Sequence, residues 1–93
     1  MYWVYILYSP KIDQYYIGQT SDLPNRLASH RQGNSFYTSR ANDWVLVFAQ
    51  ETNLREEALA LERKIKSKKS RKSILRYIGD ARNKAVLFAE NGA

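Results

Sequence analysis

Tyr2-Trp3-Val4-Tyr5-Ile6-Leu7-Tyr8 and Tyr15-Tyr16-Ile17-Gly18-Gln19-Thr20 are the stretches on which the fold turns. Both are rich in aromatic and β-branched residues, which suit a pleated and partly covered strand. The first stops at Ser9-Pro10, and only a short polar turn around Lys11 to Gln14 separates it from the second. Two strands so close together predict an antiparallel hairpin. Gly18 is unusual inside a strand: it marks a bulge, or it leaves room for another backbone or a ligand to come near.

Ser21-Asp22-Leu23-Pro24 reads as a helix start, because Asp22 can accept from free N–H groups and a proline in the first turn forfeits no hydrogen bond. The helix is expected to run to Gln32, with Gly33 suited to the left-handed position beyond it. At helical spacing Leu23, Arg26, Leu27 and His30 share an arc of about 100°, so a guanidinium and an imidazole lie on the apolar side. Asn34 to Asp43 is polar and aperiodic, a loop that carries Phe36, Tyr37 and Arg40. Trp44 to Ala49 is a continuous apolar run and is expected to be the third and most buried strand.

Asn53 with Glu56 resembles a capping box, after which Leu54, Ala58, Leu61 and Ile65 line one helical face. Glu62 lies about 80° from the centre of that stripe, at the margin of the core, where it can point across the sheet toward Tyr5 and Tyr16. Ser70 is expected to cap a third helix that presents Ile74, Leu75 and Ile78 and ends at Gly79. The order ββαβαα gives an α+β domain: a small three-stranded antiparallel sheet packed with three helices. Residues 1–80 form the domain, and 81–93 are read as a C-terminal extension, a short helix or mobile tail.

The chain has 93 residues and no cysteine, so one small core must hold it without disulfides. The longest apolar run near the N-terminus is far short of the ~20 residues a membrane span needs, and a cytoplasmic protein without membrane contact is expected. Net charge is +6, unevenly spread. Residues 1–50 hold four Lys or Arg against three acids, whereas 51–93 hold eleven against six. Seven of the ten residues from Arg63 to Lys72 are basic, the footprint of a polyanion binder. Nucleic acid is therefore the leading partner, with an acidic protein surface as the rival.

One histidine and no cysteine argue against zinc, and no glycine-rich phosphate loop is present. A Ser-His-Asp triad lacks any nucleophile-elbow signature. Tyr5, Tyr16, Arg26, His30 and Glu62 remain as candidates. Each has an ordinary alternative: strand tyrosines pack in cores, His30 can be a satisfied core-edge side chain, and Glu62 can pair with Lys66 one turn on.

Taken together, Trp3-Val4-Tyr5, Tyr16-Ile17-Gly18-Gln19-Thr20, Asp22-Leu23, Arg26-Leu27 and His30 resemble the GIY-YIG nuclease domain. Tyr37-Thr38-Ser39-Arg40 and Ala60 to Lys66 are similar to its small stand-alone members, and the resemblance spans about residues 2–79. It implies a metal-dependent endonuclease acting on DNA, with RNA not excluded, working as a monomer or weak dimer and selecting DNA structure more than sequence, as in repair or recombination. Tyr5 and Tyr16 would be the motif tyrosines, Arg26 the phosphate-binding arginine, His30 a further catalytic group, and Glu62 the ligand of Mg²⁺ or Mn²⁺. Asn83 is the candidate for an asparagine found late in such domains. Tyr37, Arg40, Arg63, Lys64, Lys66, Lys68, Lys69, Arg71 and Lys72 would bind nucleic acid. The chain departs from the pattern twice: Trp3 replaces the namesake glycine, and Gln19 stands where the repair branch has lysine. A noncatalytic nucleic-acid-binding module that keeps the fold is the alternative.

Overall fold

The computed structural model of the chain describes residues 1–32 and 38–88; Gly33, Phe36 and Tyr37, singled out above, and residues 89–93 of the C-terminal extension lie outside them. Strands β1 (Tyr2–Ser9), β2 (Gln14–Thr20) and β3 (Val45–Thr52) form one antiparallel sheet in the order β2-β1-β3. Helices α1 (Leu23–Arg31), α2 (Arg55–Ser67) and α3 (Arg71–Ile78) pack on it, and 3₁₀ turns occupy Thr38–Arg40 and Ala85–Phe88. The α+β class holds.

The central strand is β1, not β3. The apolar run from Trp44 to Ala49 suggests full burial, but β1 pairs on both sides while β3 keeps a free edge and an exposed Val45. The register is regular along β1–β2, so Gly18 marks no bulge; the irregularity lies in β3 instead. Ile6 faces Phe48 and Leu7 faces Leu46, leaving Val47 as the extra residue.

Alternation sorts the side chains of the sheet into two cores. Val4, Ile6, Ile17 and Phe48 meet Ala58 and Ile65 of α2 and Ile74 of α3. Tyr5, Leu7 and Ala49 meet Leu23 and Leu27 of α1 with Ala41 and Trp44. Helix α1 thus covers one face of the sheet and α2 with α3 the other.

The caps explain the helix boundaries. Asp22 accepts from the Asn25 N–H and Ser70 from the Ser73 N–H, as expected. At α2 the box falls one residue later than Asn53–Glu56: the Leu54 N–H donates to Glu57 Oε1 at 3.0 Å. Leu54 is consequently the N-cap, outside the stripe and exposed. In α3, Leu75 is exposed and Tyr77 takes its place against the core, its ring edge-on to Phe48. Helix α3 does end at Gly79, which has ordinary right-handed backbone.

Beyond α3, Asn83 closes the free edge of β3. Its Nδ2 donates to the Val47 and Ile78 carbonyls, and its Oδ1 accepts from the Ala49 and Ala85 N–H groups. Lys84 adds a backbone bond to the Ala49 carbonyl and an ion pair with Glu51. Phe88 meets Trp3 edge-on at 4.8 Å, so the side chain standing at the glycine position of the motif is packed. At the other end of the sheet Ser9 and the Lys11 N–H both donate to Asp43, tying the hairpin to the entry of β3.

Candidate active site

Tyr5 is the centre of a polar cluster inside the α1-covered face. It is fully buried, and its register partner is Gly18. A methyl group on Gly18 would lie 2.7 Å from the Tyr5 hydroxyl oxygen and 3.1 Å from the Tyr16 ring. The space left by the missing side chain is therefore filled by the chain itself: the Tyr5 phenol crosses over β2 and delivers its hydroxyl toward the outer edge of the sheet.

Helix α1 brings two groups to that hydroxyl. His30, 1% exposed, places Nε2 at 2.8 Å from it, and Arg26 donates its Nε–H to it at 3.3 Å. The turn spacing of four residues between Arg26 and His30 is what lets one helix face present both. Tyr16 stands beside them, with its ring 6.2 Å from that of Tyr5 and edge-on to His30 at 5.1 Å. Its hydroxyl shares hydrogen bonding with Tyr5 and Arg26.

These contacts fix protonation. Burial pushes the Tyr5 phenol up to about 12, only partly opposed by the hydrogen bond from Arg26. His30 is pushed down to about 4, first by burial and then by the charge of Arg26. Arg26 is raised by its hydrogen bond to Tyr5. At neutral pH the cluster therefore holds a protonated Tyr5, an uncharged imidazole and one guanidinium cation. Arg26 can only donate to the Tyr5 oxygen, so the Tyr5 proton is left for a neighbouring acceptor such as a neutral His30 Nε2.

Glu62 is not in this cluster. Helix α2 packs on the Val4/Ile6/Ile17 face, so the sheet backbone separates it from Tyr5 and Tyr16, and Glu62 cannot point across that face at them. Its Oε2 accepts from Lys66 at 3.2 Å, and the side chain is 19% exposed. Its direction around α2 is nevertheless informative. Arg55, seven residues earlier, falls within about 20° of Glu62 and about 10 Å along the axis. Arg55 and Arg26 line one groove of about 410 Å³ at the β2 edge, together with Tyr2, Gln19, Thr20 and Ser21. The flank of α2 that carries Glu62 is thus also the flank from which Arg55 reaches that groove.

Among the described residues no group of three or more His, Cys, Asp or Glu could enclose a metal ion. A lone carboxylate at the core margin does fit a hard cation that keeps most of its own water, as Mg²⁺ does, and it does not fit zinc. Glu62 is the carboxylate of α2 whose position meets that description.

The basic run divides. Arg63, Lys64, Lys68, Lys69 and Lys72 are exposed, while Lys66 pairs with Glu62. Arg71 is committed to Asp13 at 2.7 Å and lies over the Tyr15 ring. Lys64 and Lys68 line a groove with Ser67 of α2 and Ser73, Arg76 and Tyr77 of α3. This groove is on the α2–α3 side of the sheet. Arg40 borders a third hollow with Lys11 and Arg31. Arg55 and Arg76 stand outside the run 63–72, and only spacing points to them: seven residues before Glu62, and four after Lys72.

Asn83, with all its amide capacity spent on backbone, holds β3. No helix among the described residues is long and apolar enough to cross a membrane. Neither the curated proteins nor the solved structures yield a match. The family model described as the GIY-YIG catalytic domain matches residues 1–77 of the 93. With two motif tyrosines on paired strands and the arginine of α1 bonded to the first of them, the chain belongs to the GIY-YIG family.

Proposed function

We propose that the protein is a metal-dependent endonuclease that hydrolyses DNA phosphodiester bonds, selecting DNA structure more than sequence. Membership of the family supports a nuclease acting on nucleic acid, and nucleases of this family are generally metal-dependent. The observation that carries the reading is the bond between Arg26 and the buried Tyr5 hydroxyl, with Tyr16 alongside. It holds a guanidinium where its remaining N–H groups can fork onto phosphate oxygens and stabilise the charge that builds on them.

The two phenols have different tasks. Tyr5 keeps its proton at neutral pH, so it positions Arg26 and donates a hydrogen bond. Tyr16, only half-buried, would act on the attacking water as its phenolate, its own proton having first passed to solvent or to a neutral base such as the neighbouring His30. Bound Mg²⁺ or Mn²⁺, with Glu62 as its protein ligand, would supply charge neutralisation at the phosphate and the leaving oxygen. Arg63, Lys64, Lys68, Lys69 and Lys72 would hold phosphates without reading bases, and a surface this small favours recognition of a nick or branch over a long sequence. A role in DNA repair or recombination, in the cytoplasm, accords with that.

The ion pair between Glu62 and Lys66 favours a second reading, a nucleic-acid-binding module without activity. One experiment separates the two: cleavage of branched, nicked and linear DNAs in Mg²⁺ or Mn²⁺, with Glu62→Gln alongside. The glutamine keeps size and hydrogen bonding, so stability should move by less than about 1 kcal/mol while metal-dependent cleavage disappears. Undiminished cutting by Glu62→Gln would place the metal elsewhere, and binding without cutting by the wild type would leave the module.

A further inference from the structure

The groove at the β2 edge holds two guanidinium groups and no carboxylate. Its walls are Arg26 of α1, Arg55 of α2, and Tyr2, Gln19, Thr20 and Ser21 between them. Two cations facing one cavity repel each other, and an anion between them turns that repulsion into attraction. Arg55 has no acidic partner among the described residues. Of the nearby acids, Glu57 caps the Leu54 N–H, Glu51 pairs with Lys84 and Glu62 pairs with Lys66, while Glu56, next to Arg55 in sequence, is exposed and outside the groove lining.

Arg55 is also held in place from the backbone up. The turn into α2 is pinned twice, by Leu54 N–H to Glu57 Oε1 and by the Thr52 hydroxyl to the Leu54 carbonyl. The base of the side chain is therefore fixed on a rigid element, as a ligand-holding group requires.

Arg26 belongs to two places at once. Its Nε–H is given to Tyr5, while the same side chain lines the groove. The groove therefore adjoins the phenol cluster and shares a wall with it. Its lining joins Arg26 of the helix on the Tyr5 face to Arg55 of a helix on the opposite face, across the end of the outer strand β2.

We propose that this groove is a phosphate subsite in which Arg55 holds the phosphodiester next to the one that Arg26 receives. The proposal rests on the nuclease reading and adds a substrate-positioning residue from a different helix. Arg55 acts on binding, because its contact is with a phosphate that does not react.

The test is binding of a short fluorescent single-stranded DNA without metal, as a function of salt, beside steady-state cleavage with Mg²⁺, for wild type, Arg55→Ala and Arg55→Lys. Arg55 is exposed and outside both cores, and far-UV circular dichroism checks that the variants fold. Arg55→Ala should weaken binding about five- to tenfold, lower the log-log salt slope by about one, and raise KM by the same factor with kcat within about twofold. Arg55→Lys should recover most of the affinity, since a charge at the groove is what is needed. The same RNA sequence should lose affinity alike, because the contact is with backbone. Unchanged affinity, slope and KM in Arg55→Ala, with wild type binding and cutting, would overturn the subsite and leave the nuclease reading standing. A loss in kcat alone would move Arg55 onto the reacting phosphate and overturn it too. Equal competition by inorganic phosphate would show a site for a free anion instead. Wild type that binds no oligonucleotide would overturn both readings.

Discussion

Alternate residues of the same strands build the two faces of the sheet, yet they bury different chemistry. Toward α2 and α3, Val4, Ile6, Ile17 and Phe48 pack on Ala58, Ile65 and Ile74, all hydrocarbon. Toward α1, the neighbours one residue along are Tyr5, Tyr16 and Gly18, and the helix returns His30 and Arg26 to them. The first face contributes burial energy alone. The second contributes some, and also holds a polar cluster whose protonation is set first by burial and then by Arg26. A domain of this size can keep such a cluster because the stabilising and the polar sets are separated by the thickness of one sheet.

Substitutions on the two faces should therefore fail differently. The largest loss of stability is expected from Phe48→Ala, at about 3 to 5 kcal/mol, since it empties the centre of the hydrocarbon face. Urea unfolding measures it, and any remaining native protein should still cut DNA at the wild-type rate per folded molecule. A loss under about 1 kcal/mol would mean that the faces are not divided as described.

Next comes acidification. Between pH 6.5 and about 4 the buried His30 binds fewer protons folded than unfolded, so stability is full above that window and falls as pH drops through it. The difference of pKa corresponds to about 3 kcal/mol at most. Its causes are burial and Arg26, with Tyr5 and Tyr16 as the other titratable neighbours. Thermal midpoints against pH should show this slope, and His30→Gln should flatten it; an unchanged slope in that variant would assign the titration to other groups.

Gly18→Ala should cost about 1 to 3 kcal/mol, because the new methyl must push aside the hydroxyl end of the buried, hydrogen-bonded Tyr5 ring. Its effect on cleavage should be disproportionate, since the same push separates the Tyr5 hydroxyl from His30 and Arg26. Stability loss with unchanged cleavage would show that the position of the phenol does not matter to the chemistry.

The comparison of faces also explains what could be read from sequence. Strand composition, the Asp22 and Ser70 caps and the Arg26–His30 spacing were legible because each is a local property. Gly18 signalled a close approach, but its occupant, Tyr5, is set by the strand pairing. The rank of β3 was not legible, because an apolar run looks the same at a sheet centre as at an edge covered by later residues. The Asn83 clamp that covers this edge has no period to betray it. For Glu62 the helical wheel gave an angle about α2 but not the face of the sheet on which α2 lies. Sequence alone therefore aimed Glu62 across the sheet, whereas α2 lies on the other face and the flank that carries Glu62 also carries Arg55 of the β2-edge groove.

The central claim is that the polar face is where phosphodiester hydrolysis happens, and Arg26 tests it most directly. Metal-dependent nicking of a plasmid by Arg26→Ala and Arg26→Lys should be measured with circular dichroism and DNA binding on the same preparations. Both variants should fold and keep most of the DNA affinity, while cleavage falls by about 10²-fold or more, the scale of losing a transition-state charge stabiliser. Lysine should not rescue it, because a point charge lacks the planar fork that fits two phosphate oxygens. Cutting within a few-fold of wild type by Arg26→Ala, or unfolding of both variants, would contradict the account and make Arg26 a structural partner of Tyr5.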